Sequence, residues 1–279
     1  MHSCESVVYG AEWKCSLGCG GFALDAIPIT VLLLLLVAGT LASHELGYRF
    51  GRFRRLCTAH EHDAHVGGIV TAELGLLAFL LAFTYGIAAN RHDERRQSLL
   101  NESNAIGTSY LRAAMLPPAI RERVRDLLRE YTDVRIAAAQ NRDIEKALRR
   151  SEDIHRDLWA QTVAAAEADA RSIPTGLFIA SVNDIIDLHA KRVTATIRSR
   201  IPPGIWFVLF VVAMFSFAAM GYHGGLTARN RSPLVVLVAL TFSAVLMLVV
   251  DLDRPGEGVL RISQQPLIEL RASMVEPQP

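Results

Sequence analysis

Asp251 and Asp253, in the motif DLDRP with Arg254, close one apolar run, and the motif RHDERR at the end of another supplies Arg91, Arg95 and Arg96. Opposite charges at a membrane boundary attract strongly and hydrogen-bond well, so these residues are read as an ion-pair network tying a water-facing segment to the membrane part; an ion-binding site is the alternative. Beyond RHDERR, Asn101, Asn104 and Thr108 fall at spacings of three and four, which places them in one uncharged polar stripe on a helix. Around an axis such amide and hydroxyl groups would replace part of an ion's hydration; within one subunit they would only hydrogen-bond across a bundle. Glu73 lies inside an apolar run, where a charge is costly unless it faces a cavity or a partner. Leu80 and Phe83 in the same run would, as a ring in an oligomer, make a constriction that gates by dewetting.

The motif HEHDAH offers His60, His62 and His65 beside Glu61 and Asp63 as ligands for zinc or nickel, or as a proton sensor near about pH 6.5. A hydrated polar loop is the plainer reading, because the spacing lacks a rigid helical pair. There is no HExxH, no P-loop, no GxSxG and no Gly-rich dinucleotide turn. An enzyme is therefore the weakest class, and no cofactor is expected.

The elements that must hold these groups follow from how the apolar residues are blocked. Ile27 to Ser43, Gly67 to Ala89, Ile205 to Tyr222 and Leu234 to Val250 each approach the roughly 20 residues that cross about 30 Å of hydrocarbon. The spacing predicts an all-α membrane protein with four transmembrane helices and a helical bundle inserted between spans 2 and 3. The segments are 1–26 outside the membrane, 27–89 with spans 1 and 2, 90–203 as the water-facing bundle, 204–250 with spans 3 and 4, and 251–279 as a C-terminal segment. A signal peptide is the weaker reading of the first run, since a mostly neutral leader precedes it. Span 2 continues without proline into a rod that reaches Met115. Small residues Ala78, Ala82 and Gly86 at four-residue spacing make span 2 a close-packing helix, inside one subunit or between subunits.

In the bundle, Ile120, Val124, Leu127, Leu128 and Tyr131 define one buried face. Ile144, Leu148, Ile154, Leu158 and Trp159 define a second. Phe178, Val182, Ile185, His189, Val193 and Ile197 define a third, with His189 read as a core histidine. Most of the 29 Lys and Arg residues lie between Arg91 and Arg200, interleaved with carboxylates, and the net charge is +1. That is a solvated helical surface, and no nucleic-acid partner is expected. Two of Cys4, Cys15 and Cys19 would pair in an oxidising compartment, while free thiols are equally consistent. Arg49, Arg52, Arg54, Arg55, Arg229 and Arg231 on one face of the membrane favour a bundle on the outer side.

ERR at Glu94 to Arg96, NESNAIGTSYLR at Asn101 to Arg112, REY at Arg129 to Tyr131 and DLDRP at Asp251 to Pro255 resemble the bestrophin-like domain family, from span 2 to the QQPL segment near Pro266. His92 stands where the resemblance leads one to expect an aromatic residue. The resemblance implies a four-span helical protein of a bacterial inner membrane, and its name is borrowed from pentameric anion channels. Its signature adds Glu102 and Arg112 to the ion-pair candidates. The expectation is a homo-oligomeric, anion-selective channel in a lipid bilayer, a pentamer by analogy, with inorganic ions as cargo. A non-conducting membrane sensor or scaffold, whose bundle binds a partner or ligand, is the alternative.

Overall fold

The computed structural model describes residues 7–8, 11–12, 28–57, 63–141, 143–169, 171–195, 200–227, 233–254 and 260–274. Within them, a two-residue antiparallel ladder pairs β1 (Val7–Val8) with β2 (Ala11–Glu12). Eight helices follow: α1 Ile29–Cys57, α2 Asp63–Ala113, α3 Pro118–Asn141, α4 Ile144–Ala168, α5 Ile173–Val193, α6 Pro203–Leu226, α7 Leu234–Asp253 and α8 Gln265–Ser273. Four of them, α1, α2, α6 and α7, are long and apolar enough to cross a membrane.

The α2 helix is one rod of 51 residues, about 76 Å at 1.5 Å per residue. No proline interrupts it, and the turn that ends it precedes Pro117 and Pro118. Its apolar part, Gly67 to Ala89, packs with α6 and α7, and its polar part packs with α3, α5 and α8. Two cores result. Leu32, Leu36, Leu77, Leu81, Leu209 and Leu246 belong to the membrane core; Ile106, Leu128, Tyr131, Leu158, Phe178 and Ile185 belong to the bundle core.

The first span is longer than its apolar run, because α1 continues past Ser43 to Cys57. Arg49 pairs with Glu45 at 2.9 Å one turn away, and buried Gly47 and Gly51 lie against α6. A Cβ on Gly47 would stand 2.0 Å from the Ala218 carbonyl oxygen, and one on Gly221 would stand 2.0 Å from that of His44. Gly51 and Gly225 meet the facing backbone almost as closely. The closest helix contact is thus α1 on α6. The small residues of span 2 are not its equivalent: Ala78 and Ala82 are exposed, and nothing lies within 4 Å of a Cβ built on Gly75 or Gly86. Because backbone cannot yield as a flexible side chain can, Gly221→Ala should cost about 1–3 kcal/mol. Thermal melts in detergent would read that loss, and an unchanged melting temperature would contradict the contact.

The buried face of α4 is shifted from the expected one. Ala147, Ser151, Ile154, His155, Leu158, Thr162 and Ala165 point inward, whereas Ile144 and Trp159 are exposed. Small residues let α4 lie close to α3 and α5, which outweighs the apolarity of the larger side chains. The α5 helix ends at Val193, so Ile197 lies outside the described residues. The short helix α8 was not anticipated; it starts with Pro266 in its first turn and buries Leu267.

Candidate functional site

Among the described residues, nothing covers one side of α2 along most of the rod. In the apolar part Leu76, Phe79 and Phe83 are exposed, Phe83 to 64%, and the rings of Phe79 and Phe83 stack with centroids 6.4 Å apart. Beyond it Asn90, Glu94, Gln97, Asn104, Thr108 and Leu111 are exposed. These positions follow a period of 3.6 and so share one face. Asn101, half-buried on the same face, accepts a hydrogen bond from the Gln97 side-chain amide at 2.9 Å. Leu80 is turned differently, half-buried against the membrane core, and Glu73 is half-buried.

The boundary link joins the two ends named in the sequence, with backbone carbonyls among its acceptors. Arg95, 3% exposed, donates to the backbone carbonyls of Leu252 (2.8 Å) and Asp253 (3.4 Å) and so caps the C-terminus of α7. The Asp253 carboxylate accepts the Ile201 amide at 3.0 Å, and the Asp251 carboxylate accepts the Leu260 amide at 3.0 Å. Each acid therefore fastens an irregular backbone segment to α7. Arg254 is buried beside them. Arg91 is half-buried and lends its carbonyl to Arg95 at 3.1 Å. Arg96 is exposed and faces residues 261–266 instead of this link. Arg112 donates to the Leu177 carbonyl at 2.7 Å, joining α2 to α5.

Glu102 belongs to neither group. It is fully buried in the bundle and collects side chains from α3 and α5. Tyr131 donates its hydroxyl proton to Glu102 Oε1 at 2.5 Å. Since that hydroxyl has one proton, His189 Nδ1, 2.9 Å away, must be the donor to Tyr131 Oη, which fixes the tautomer. Arg192 bonds Glu102 Oε2 and reaches Gln264, and Arg135 lies 3.3 Å from Oε1. Burial alone would raise the Glu102 pKa, but His189, Arg135, Arg192 and Tyr131 together hold it far below the usual carboxylate range. Burial, reinforced by the Glu102 charge, pushes the Tyr131 phenol upward. The His155 ring lies tilted against Tyr131 and edge-on to His189, with centroids 4.9 Å apart in each pair, and burial together with His189 lowers its pKa to about 3. The family resemblance marks Glu102 and helical spacing marks His189; neither joins them to Arg135 and Arg192.

In the HEHDAH motif His60 and His62 lie outside the described residues, and His65 is exposed. Among the described residues no group of three His, Cys, Asp or Glu side chains is placed to hold a metal ion. Cys4, Cys15 and Cys19 also lie outside them, and Cys57 is an exposed free thiol.

The family model for the Bestrophin-like domain matches residues 34–267. No curated protein matches the sequence. Among solved structures, two variants of a bacterial bestrophin homologue from Klebsiella pneumoniae share the fold. One is 15% identical with a TM-score of 0.61, the other 16% identical with a TM-score of 0.62. In both cases the likeness covers 88% of this chain and 97% of the other.

Proposed function

The chain belongs to the Bestrophin-like domain family, and on that premise we propose that it is a homo-oligomeric ion channel of a bacterial inner membrane, with the exposed face of α2 turned toward the symmetry axis. The observation that carries this reading is the character of that face beyond the bilayer. From Gln97 to Ala113 its exposed residues are uncharged, and one of them, Leu111, is large and apolar. A rod standing alone in water would carry charge there, as α3 and α4 do on their outer faces. Around an axis, Asn104 and Thr108 would offer neutral donors to a partly dehydrated ion, and Phe79 and Phe83 would make the dry constriction. Exposed Ala78 and Ala82 would let neighbouring copies approach. Five copies is the number that the bestrophin name suggests.

Amide N–H and hydroxyl donors favour an anion, which is the preference we propose. One observation favours the opposite sign: Glu94 is exposed on the same face, and a ring of carboxylates selects cations. Purified protein in liposomes under a potassium chloride gradient separates the two. An anion path reverses near the chloride equilibrium potential, with or without Glu94→Gln. A cation path reverses near that of potassium and moves toward chloride when Glu94 is neutralised.

A further inference from the structure

We infer that the cleft between the first water-facing turns of α2 and residues 261–266 is a binding site for a phosphate group. The cleft measures about 380 Å³ and is lined by His92, Arg96, Leu99, Arg261, Ser263 and Gln265 among others. Two arginines and a histidine line it, and among the described residues no carboxylate does. Both arginines are exposed. The His92 Nε2 atom is buried and has no hydrogen-bond partner among the described residues. The Ser263 hydroxyl oxygen accepts the Gln265 amide at 3.2 Å, so its proton stays available to an incoming acceptor. The nine-residue helix α8 begins in the cleft, its Gln265 amide held by Ser263 and those of Leu267 and Ile268 by the Gln264 carbonyl, so it contributes its dipole and no free N–H. Planar guanidiniums, a hydroxyl donor and a helix dipole, without a competing acid, suit a tetrahedral oxyanion.

The depth of the cleft adds a source. Along α2, His92 lies about 5 Å and Arg96 about 10 Å beyond Ala89 at 1.5 Å per residue, and the headgroup zone is about 5–8 Å thick on each side. The phosphate of an anionic lipid headgroup reaches this position; so does free phosphate from solution. This reading is independent of conduction.

The test uses the purified full chain in neutral detergent, with its thermal melt followed during titration of dioctanoyl phosphatidylglycerol, dioctanoyl phosphatidylcholine and inorganic phosphate. A saturable rise with phosphatidylglycerol, absent with phosphatidylcholine, identifies the lipid source. A rise with inorganic phosphate alone identifies the soluble one. In either case Arg96→Gln/Arg261→Gln should weaken the apparent affinity at least about tenfold, while Arg149→Gln, which removes an exposed charge on α4, should leave it unchanged. If the double variant does not assemble, Arg261→Gln and His92→Phe are measured singly and should each weaken it. No rise with either phosphate probe, or a rise that these variants leave untouched, overturns the proposal.

Discussion

Glu102→Ala is expected to destabilise the protein by about 3–5 kcal/mol, the largest loss among single changes in the bundle. The carboxylate is the counter-charge for Arg135 and Arg192, whose side chains are only 8% and 11% exposed. Removing it leaves two buried cations facing each other, with the Tyr131 hydroxyl deprived of its acceptor. Glu102→Gln should lose less, because an amide oxygen still accepts from Tyr131. Arg150→Ala, which breaks an exposed pair with Glu130, should be barely measurable. Denaturant or thermal melts of the three variants give the order; equal losses for Glu102→Ala and Arg150→Ala would contradict it.

The same network sets a pH dependence. The folded pKa of Glu102 is depressed, so its contribution is complete above the unfolded value of about 4.3 and is lost as pH falls through the folded one. His155 acts earlier. Its folded pKa of about 3 lies below the ordinary value of 6.5, so the unfolded chain takes up the proton first and stability falls from about pH 6.5 downward. Wild-type stability should therefore decline in two stages on acidification. In Glu102→Gln the lower stage should disappear.

The second large effect is on conduction. Phe83→Ala should raise the current several-fold, because the exposed ring is the side chain that would exclude water from the axis. Asn104→Leu should lower it without preventing assembly, since its side chain is exposed and supports no contact within the subunit that folding requires. Leu80→Ala should act on stability more than on current, because Leu80 packs into the membrane core. Planar-bilayer recordings with the oligomer checked by size would distinguish these outcomes.

The four spans and the unbroken α2 rod were legible because blocks of apolar residues and the absence of proline act locally. The stripe of Asn101, Asn104 and Thr108 was legible for the same reason, since helical period alone places it. What escaped depends on residues distant in the chain. Gly47 and Gly221 read as ordinary helix residues until α1 and α6 are laid side by side, whereas Ala78, Ala82 and Gly86 carry the same small-residue signal with no close helix among the described residues. Arg95 and Arg96 stand together in the motif, but adjacent helical residues point about 100° apart, and Arg95 is the one that bonds the end of α7. Glu102 drew attention through a motif, yet its partners come from α3 and α5, and no spacing rule connects them.

The central claim, that the uncharged face of α2 lines an ion path, is tested most directly by thiol accessibility. Asn104→Cys and, separately, Arg123→Cys on α3 are placed in a background whose four cysteines are serine, reconstituted, and exposed to a charged methanethiosulfonate during recording. Modification at position 104 should change the current promptly, and complete modification at position 123 should not. A correctly assembled protein that carries no current, or one whose current ignores full modification at position 104, would contradict the account and leave a non-conducting membrane sensor or scaffold in its place.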